Sequence, residues 1–134
     1  MYFKYDSKRS ISVPAPFNRV MTPLMTSDTT DAPIDFSVHM TEWEPGAEVD
    51  EHAHQNATEV MFCISGHGVA TVNGVKYDFA PESMIAALPG DKHQIRNTGT
   101  EPLKVLCIFS PPVSSAGLKE RADAAVASYQ VSHK

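Results

Sequence analysis

Disulfide chemistry has little to work with in this chain. Its 134 residues include two cysteines, Cys63 and Cys107, each inside an apolar run. Two such thiols suit a reducing compartment and make no disulfide framework. Long apolar runs are missing too, and none approaches the roughly 20 residues needed to cross a bilayer. The opening Met1-Tyr2-Phe3-Lys4-Tyr5-Asp6 has no apolar core of a signal peptide. A cytoplasmic protein without a membrane role is therefore expected. Basic charge is scarce: 11 Lys and Arg stand against 16 Asp and Glu, a formal net charge of −5. The nearest approach to a basic cluster is Lys8-Arg9, too little to hold a phosphate backbone. Nucleic acid is not an expected partner, which leaves a small molecule.

What is present is ordinary globular material. Hydrophobic residues make up 42% and charged residues 20%, enough for one soluble domain with its own core. Residues 1–33 carry Pro14, Pro16, Pro23 and Pro33 with Ser27-Asp28-Thr29-Thr30-Asp31 between them. They read as an extended N-terminal arm, whose Val20-Met21 and Leu24-Met25 lie on a neighbouring surface or add an edge strand. From 34 to 112 the pattern is short strands between turns. Ile34, Phe36, Val38 and Met40 alternate with Asp35, Ser37, His39 and Thr41, a half-buried strand with the apolar set inward. Val60-Met61-Phe62-Cys63-Ile64 is continuously apolar, so both of its faces are expected to be covered. Asn73-Gly74 supplies the two positive φ angles of a type I′ hairpin between Val69–Val72 and Val75–Phe79. Further apolar runs at Met84–Leu88 and Leu103–Phe109 complete an antiparallel sandwich or barrel. In residues 113–134, Leu118, Ala122, Ala125, Val126 and Tyr129 fall on one helical face, with Ser114 or Ser115 as N-cap. That tail reads as a short amphipathic helix packed outside the barrel.

Four residues carry the chemistry. His52 and His54 are two apart, so on an extended segment both imidazoles share a face. Glu59 follows a polar stretch able to bring its carboxylate back beside them, and His93 opens another strand after Pro89-Gly90-Asp91-Lys92. Three imidazoles and a carboxylate suit Fe, Mn, Ni, Cu, Co or Zn. Four such ligands leave two octahedral positions for water, O2 or a chelating substrate.

The segment Gly46-(five residues)-His52-Ala53-His54-(four)-Glu59-(six)-Gly66 resembles the first cupin motif at every fixed position. Gly90-Asp91-Lys92-His93-Gln94-Ile95-Arg96-Asn97 resembles the second. Leu88 stands where that motif has proline, Glu82 where an earlier turn glycine is usual, and Ser83 where aspartate follows it. The resemblance implies an all-β double-stranded β-helix, the jelly-roll cupin barrel, of roughly six to eight strands, with the C-terminal helix appended. It also implies a divalent transition metal held by His52, His54, Glu59 and His93 inside the barrel.

Alternation from Glu59 and His93 turns Met61, Cys63, Ile95 and Asn97 inward, as candidate walls of a partly apolar pocket. His39, Trp43, His67 and Tyr77 are candidates for its mouth. Val60, Phe62 and Ile64 then face outward, to be covered by the helical tail or by a second copy in a homodimer. Among cupins, three histidines and a glutamate resemble the ligand sets of dioxygenases, decarboxylases and some isomerases or lyases. The leading reading is a dioxygenase acting on a small organic acid, enol or phenolic compound chelated to the metal, with Glu59 tuning the ion or serving as general base. A non-redox isomerase, lyase or decarboxylase, and a non-catalytic binding module, stay open beside it.

Overall fold

The computed structural model describes residues 1–47 and 50–133. Nine strands and a helix follow one another: β1 (Ile11–Val13), β2 (Arg19–Met25), β3 (Ser37–Trp43), β4 (Thr58–Ser65), β5 (Gly68–Val72), β6 (Val75–Phe79), β7 (Met84–Ala87), β8 (His93–Asn97), β9 (Leu103–Ser110) and α1 (Ser115–Ser132). Six strands form one sheet in the order β1-β2-β3-β9-β4-β7, and β6-β5-β8 form the other. Every pairing is antiparallel. The two sheets close over a core that includes Trp43, Met61, Cys63, Ala70, Phe79, Ile95, Leu103, Val105 and Cys107. This is the antiparallel double-sheet barrel that the turn spacing implies and the jelly roll that the resemblance implies.

Local chemistry explains the joints. Asn73 (φ 48°) and Gly74 (φ 81°) make the β5–β6 turn with Val72 opposite Val75. The turn before β7 keeps a left-handed residue although glycine is absent: Glu82 adopts φ 72°, and its N–H donates to Cys63 O at 3.0 Å. Gly66 lies at φ +89°, and a Cβ there would meet Pro102 O at 2.5 Å and Leu103 Cα at 2.8 Å. The residues of the expected arm are drawn into the sheet, since β2 pairs with β3 along its length and carries β1 at its edge.

One phase is opposite to the expected one. In β3 the buried set is Ser37, His39, Thr41 and Trp43, while Val38 and Met40 are half-buried and Phe36 is 46% exposed. The inner face of β3 has polar partners: Ser37 Oγ accepts the Val113 N–H at 2.9 Å, and Thr41 Oγ1 lies 3.7 Å from Cys107 Sγ, while His39, Thr41 and Trp43 line a cavity. The apolar set instead joins the outer face, where Val38, Ile108, Val60 and Ala86 stand in one row. Met40, Leu106, Phe62 and Met84 form the next row. The full coverage expected of β4 is correspondingly missing within this chain: Val60 and Phe62 are half-buried and Ile64 is 41% exposed.

The helix does not lie over those residues. Capped by Ser114 Oγ accepting from Gly117 N at 3.0 Å, it packs Leu118 and Ala122 against Val13, Phe17 and Met21, with Ala125, Val126 and Tyr129 alongside. Its place is the β1–β2 end of the large sheet.

The glycine geometry separates two substitutions. Gly46 is also left-handed (φ +72°) but a Cβ there meets nothing within 4 Å among the described residues. Gly46→Ala should therefore cost only the conformational penalty, about 1 kcal/mol. Gly66→Ala adds a clash with backbone and should cost about 3 kcal/mol or more. Urea unfolding of the two variants checks the difference, and equal losses would refute it.

Candidate metal centre

The two sheets meet at the four residues singled out by the sequence. Glu59 comes from β4 of the large sheet and His93 opens β8 of the small one. The segment bearing His52 is stitched to β8 by a pair of backbone bonds: His52 N donates to His93 O at 3.1 Å, and His93 N to His52 O at 2.8 Å. Gly90 N then donates to His54 O at 2.9 Å. The imidazole centroids of His52, His54 and His93 lie 4.3–5.2 Å apart. One ligand atom from each of the four residues falls within 4.8 Å of the others.

The proton positions follow from the partners. Nδ1 of His93 faces Asp91 O at 3.0 Å and Nδ1 of His52 faces Asp50 O at 3.3 Å. A carbonyl only accepts, so both Nδ1 atoms carry hydrogen and both Nε2 atoms are the ones offered to the cluster. Glu59 Oε1 lies 3.1 Å from His93 Nε2 and 3.3 Å from His54 Nε2. Burial would raise the Glu59 carboxyl, but the hydrogen bonds from His54 and His93 outweigh it and bring its pKa down to about 2. His93 is likewise desolvated, yet its bonds to Glu59 and to the Asp91 carbonyl hold it above the ordinary value. Burial and the neighbouring positive His93 hold His52 below that value. The buried Glu59 carboxylate thus favours a proton on His93.

Comparison with known proteins fits this arrangement. The cupin domain profile matches residues 39–109, just over half of the sequence. The chain belongs to the cupin family. Its curated relatives include L-ectoine synthases from Hyphomonas neptunium, 36% identical over 81 residues (59% of this chain and 59% of the relative), and from Bordetella avium, 37% identical over 81 residues (59% and 60%). The match thus spans about three-fifths of the length of these relatives. Among solved structures, ectoine synthase from P. lautus superimposes with a TM-score of 0.71 at 25% identity, covering 87% of this chain and 78% of that one. KdgF from Halomonas sp. reaches 0.69 at 17% identity, with 83% and 94% covered, a likeness of fold.

The cupin barrel opens above the four residues into a cavity of about 350 Å³. Met61 and Ile95 line it, as alternation implies. Cys63 does not: one pleat further along β4, it is fully buried in the core. Asn97 is occupied in holding a loop, with Nδ2 donating to Trp43 O (3.0 Å) and Glu101 O (2.8 Å) and Oδ1 accepting from Gly99 N (2.9 Å). Of the mouth candidates, His39 and Trp43 are buried in the cavity wall, 3% and 8% exposed. His67 and Tyr77 lie elsewhere, His67 paired with Asp78 on the surface and Tyr77 half-exposed on edge strand β6.

Sequence reasoning missed one whole wall. Cys107 and Phe109 of β9, Arg19 and Met21 of β2, and Leu118, Arg121, Ala125 and Ser128 of α1 also line the cavity. For the helix a signal existed: Arg121 falls three residues after Leu118 and four before Ala125, a charge within the apolar stripe.

His39 stacks on Phe109 at 5.8 Å, and its Nδ1 is buried without a hydrogen-bond partner among the described residues. Burial pushes its pKa down to about 4 from an ordinary 6.5. It is neutral when folded and takes up a proton on unfolding, so its stabilisation is complete above pH 6.5 and is lost as pH falls toward 4. The pKa of Glu59, lowered from 4.5, acts only below that value. In the elevated-pKa case of His93 the stabilisation is already complete below 6.5. The interval from pH 6.5 to 4.5 therefore reports chiefly on His39, with His52 acting in the same direction. Chelator-treated protein should lose about 2–3 kcal/mol across it. His39→Gln should remove most of that slope in urea unfolding at the two pH values, and an unchanged slope would show that His39 is not its source.

Proposed function

We propose that His52, His54, Glu59 and His93 hold a divalent transition metal and that the cavity above them carries out non-redox, lyase-type chemistry on a small molecule. The observation that carries the metal assignment is the paired anchoring of His52 and His93 through Nδ1, which leaves Nε2 convergent with Glu59 Oε1. Anchored imidazoles and a lone carboxylate are what a borderline divalent ion requires. Bound there, such an ion supplies Lewis acidity toward a substrate oxygen. Glu59 supplies the only negative charge among the four, and His39 presents a neutral Nδ1 able to bond the substrate from the side. Cys107 beside them stays a neutral thiol, because burial and the Glu59 charge raise its pKa.

Similarity to L-ectoine synthases supports lyase-type chemistry over the dioxygenase expectation, which nothing in these relatives supports. Any screen for turnover is best run with and without O2, since a reaction that needs O2 would reverse this choice. The ion's identity follows from measurement: elemental analysis of tag-free protein should give near-stoichiometric metal, lost in His54→Ala. Little metal even after reconstitution would sink the assignment and leave a binding barrel. Because a protonated His93 must give up its Nε2 proton to bind an ion, zinc binding should release protons, and the release should shrink as pH rises. Glu59→Gln, which removes the group that holds that proton, should release clearly less and bind zinc more weakly. Equal release from both proteins would count against the proposed ligand set.

We further propose that the outer face of the large sheet pairs with a second copy. Its rows of Val38, Ile108, Val60 and of Met40, Leu106, Phe62 are apolar, and they end at a Glu42–Lys104 pair (3.9 Å) that is self-complementary in charge. Light scattering should give twice the chain mass, falling to one chain in Phe62→Glu. A monomeric parent protein would refute the pairing.

A further inference from the structure

Four polar nitrogens on the cavity wall are buried without a hydrogen-bond partner among the described residues: Arg19 Nε, Arg121 Nη1, His39 Nδ1 and Trp43 Nε1. Such groups are expensive to leave unpaired, charged ones most of all. The carboxylates of the cavity do not serve the guanidinium of Arg121. Glu59 Oε1 is taken by His54 and His93, and no described acidic oxygen lies within 4 Å of Arg121. Its guanidinium carbon lies over the Phe109 ring, 4.4 Å from the centroid, a cation–π contact that supplies no hydrogen-bond acceptor to Nη1. Arg19 is partly committed, with Nη1 3.7 Å from Asp50 Oδ1, beyond hydrogen-bond length, and its guanidinium 5.7 Å from the Phe17 ring.

We infer that Arg121 of α1, assisted by Arg19 of β2, forms a carboxylate-binding subsite, so that the substrate is a small monocarboxylate held with its anionic end against the helix and its reacting end toward Glu59 and the three histidines. This rests on the cavity being the substrate site proposed above and adds the class and orientation of its occupant. One unpaired guanidinium with no acidic partner among the described residues, that of Arg121, calls for a single carboxylate. A guanidinium fork matches a carboxylate by two parallel bonds. A phosphate would call for a nest of backbone N–H groups or a helix N-terminus. The helix turns its middle to the cavity, from Leu118 to Ser128, and its capped start at Ser114 lies outside the wall. Met21, Met61, Ile95 and Phe109 give the remainder of the ligand an apolar bed. Both arginines lie outside the stretch that matches the cupin profile, residues 39–109.

Calorimetric titration with benzoate and hexanoate, against benzamide and hexanamide of the same size, tests this. It is run on the protein as purified and again after chelation, with metal content measured alongside. Both carboxylates should bind, the amides about tenfold more weakly or worse. Arg121→Gln should abolish the preference with metal content and the far-ultraviolet spectrum unchanged. Arg121→Lys, which keeps the charge without the fork, should retain part of it. Carboxylate binding that survives chelation and depends on Arg121 upholds the subsite even if no metal is ever found, a result that would remove only the metal assignment. Binding that vanishes with the metal and ignores Arg121→Gln overturns the inference while leaving the metal in place, because the anion then sits on the ion. Failure of both carboxylates to saturate the protein overturns it as well.

Discussion

A carboxylate buried to 6% exposure sets the terms for the rest of this molecule. Glu59 sits near the start of β4, between β9 and edge strand β7 of the large sheet, and removing such a charge from water costs several kcal/mol unless it is paired and hydrogen-bonded. The pairing has to come from the opposite sheet. His93 is placed for it at the first residue of β8, and the reciprocal backbone bonds between His52 and His93 extend the small sheet by one short segment for that purpose. The contact between the two layers at this end of the barrel is therefore electrostatic, where the opposite end is the dry packing of Phe79, Leu103 and Val105. A barrel with one dry end and one charged end has its binding site decided before any ligand is considered.

The same division explains why β3 reverses its expected phase. A strand of alternating type tells which residues share a face, and it does not tell which face is inside. Ser37 and Thr41 face in where Val113 N–H and Cys107 Sγ meet them, and His39 where it stacks on Phe109 in the cavity wall. The apolar alternates are left on an outer face that the C-terminal helix does not reach. Interior polarity and exterior apolarity are two consequences of one register.

Much of this was legible in residue order, and the illegible part has a common cause. Asn73-Gly74, the glycines at 46 and 66, the His-x-His pair and the capped helix at Ser114 are governed by neighbours in sequence, and the fold places each as local rules imply. Residue order suggested the convergence of His52, His54, Glu59 and His93, strand spacing linking the first two and a polar stretch able to return Glu59, and the family resemblance sharpened it. The inward phase of β3, the diversion of Asn97 to a loop and the retreat of Cys63 into the core depend on contacts made by distant strands. Glu82 shows the limit from the other side: the turn keeps its left-handed residue without glycine, because Cys63 O and the 80–83 turn hold the backbone there.

The helix makes the last connection. Had α1 been only a cover, its buried stripe would hold Leu118, Ala122 and Ala125 and nothing charged. Placing Arg121 in that stripe sacrifices apolar burial and desolvates a guanidinium, with its pKa held down by burial and up by Glu59. The contact over Phe109 contributes about 1 kcal/mol and leaves Nη1 unpaired among the described residues. A half-buried guanidinium that faces a cavity with an unpaired donor is suited to an anion entering the cavity. Helix and barrel then divide the labour, the barrel presenting a carboxylate and three imidazoles and the helix setting which molecule is presented to them.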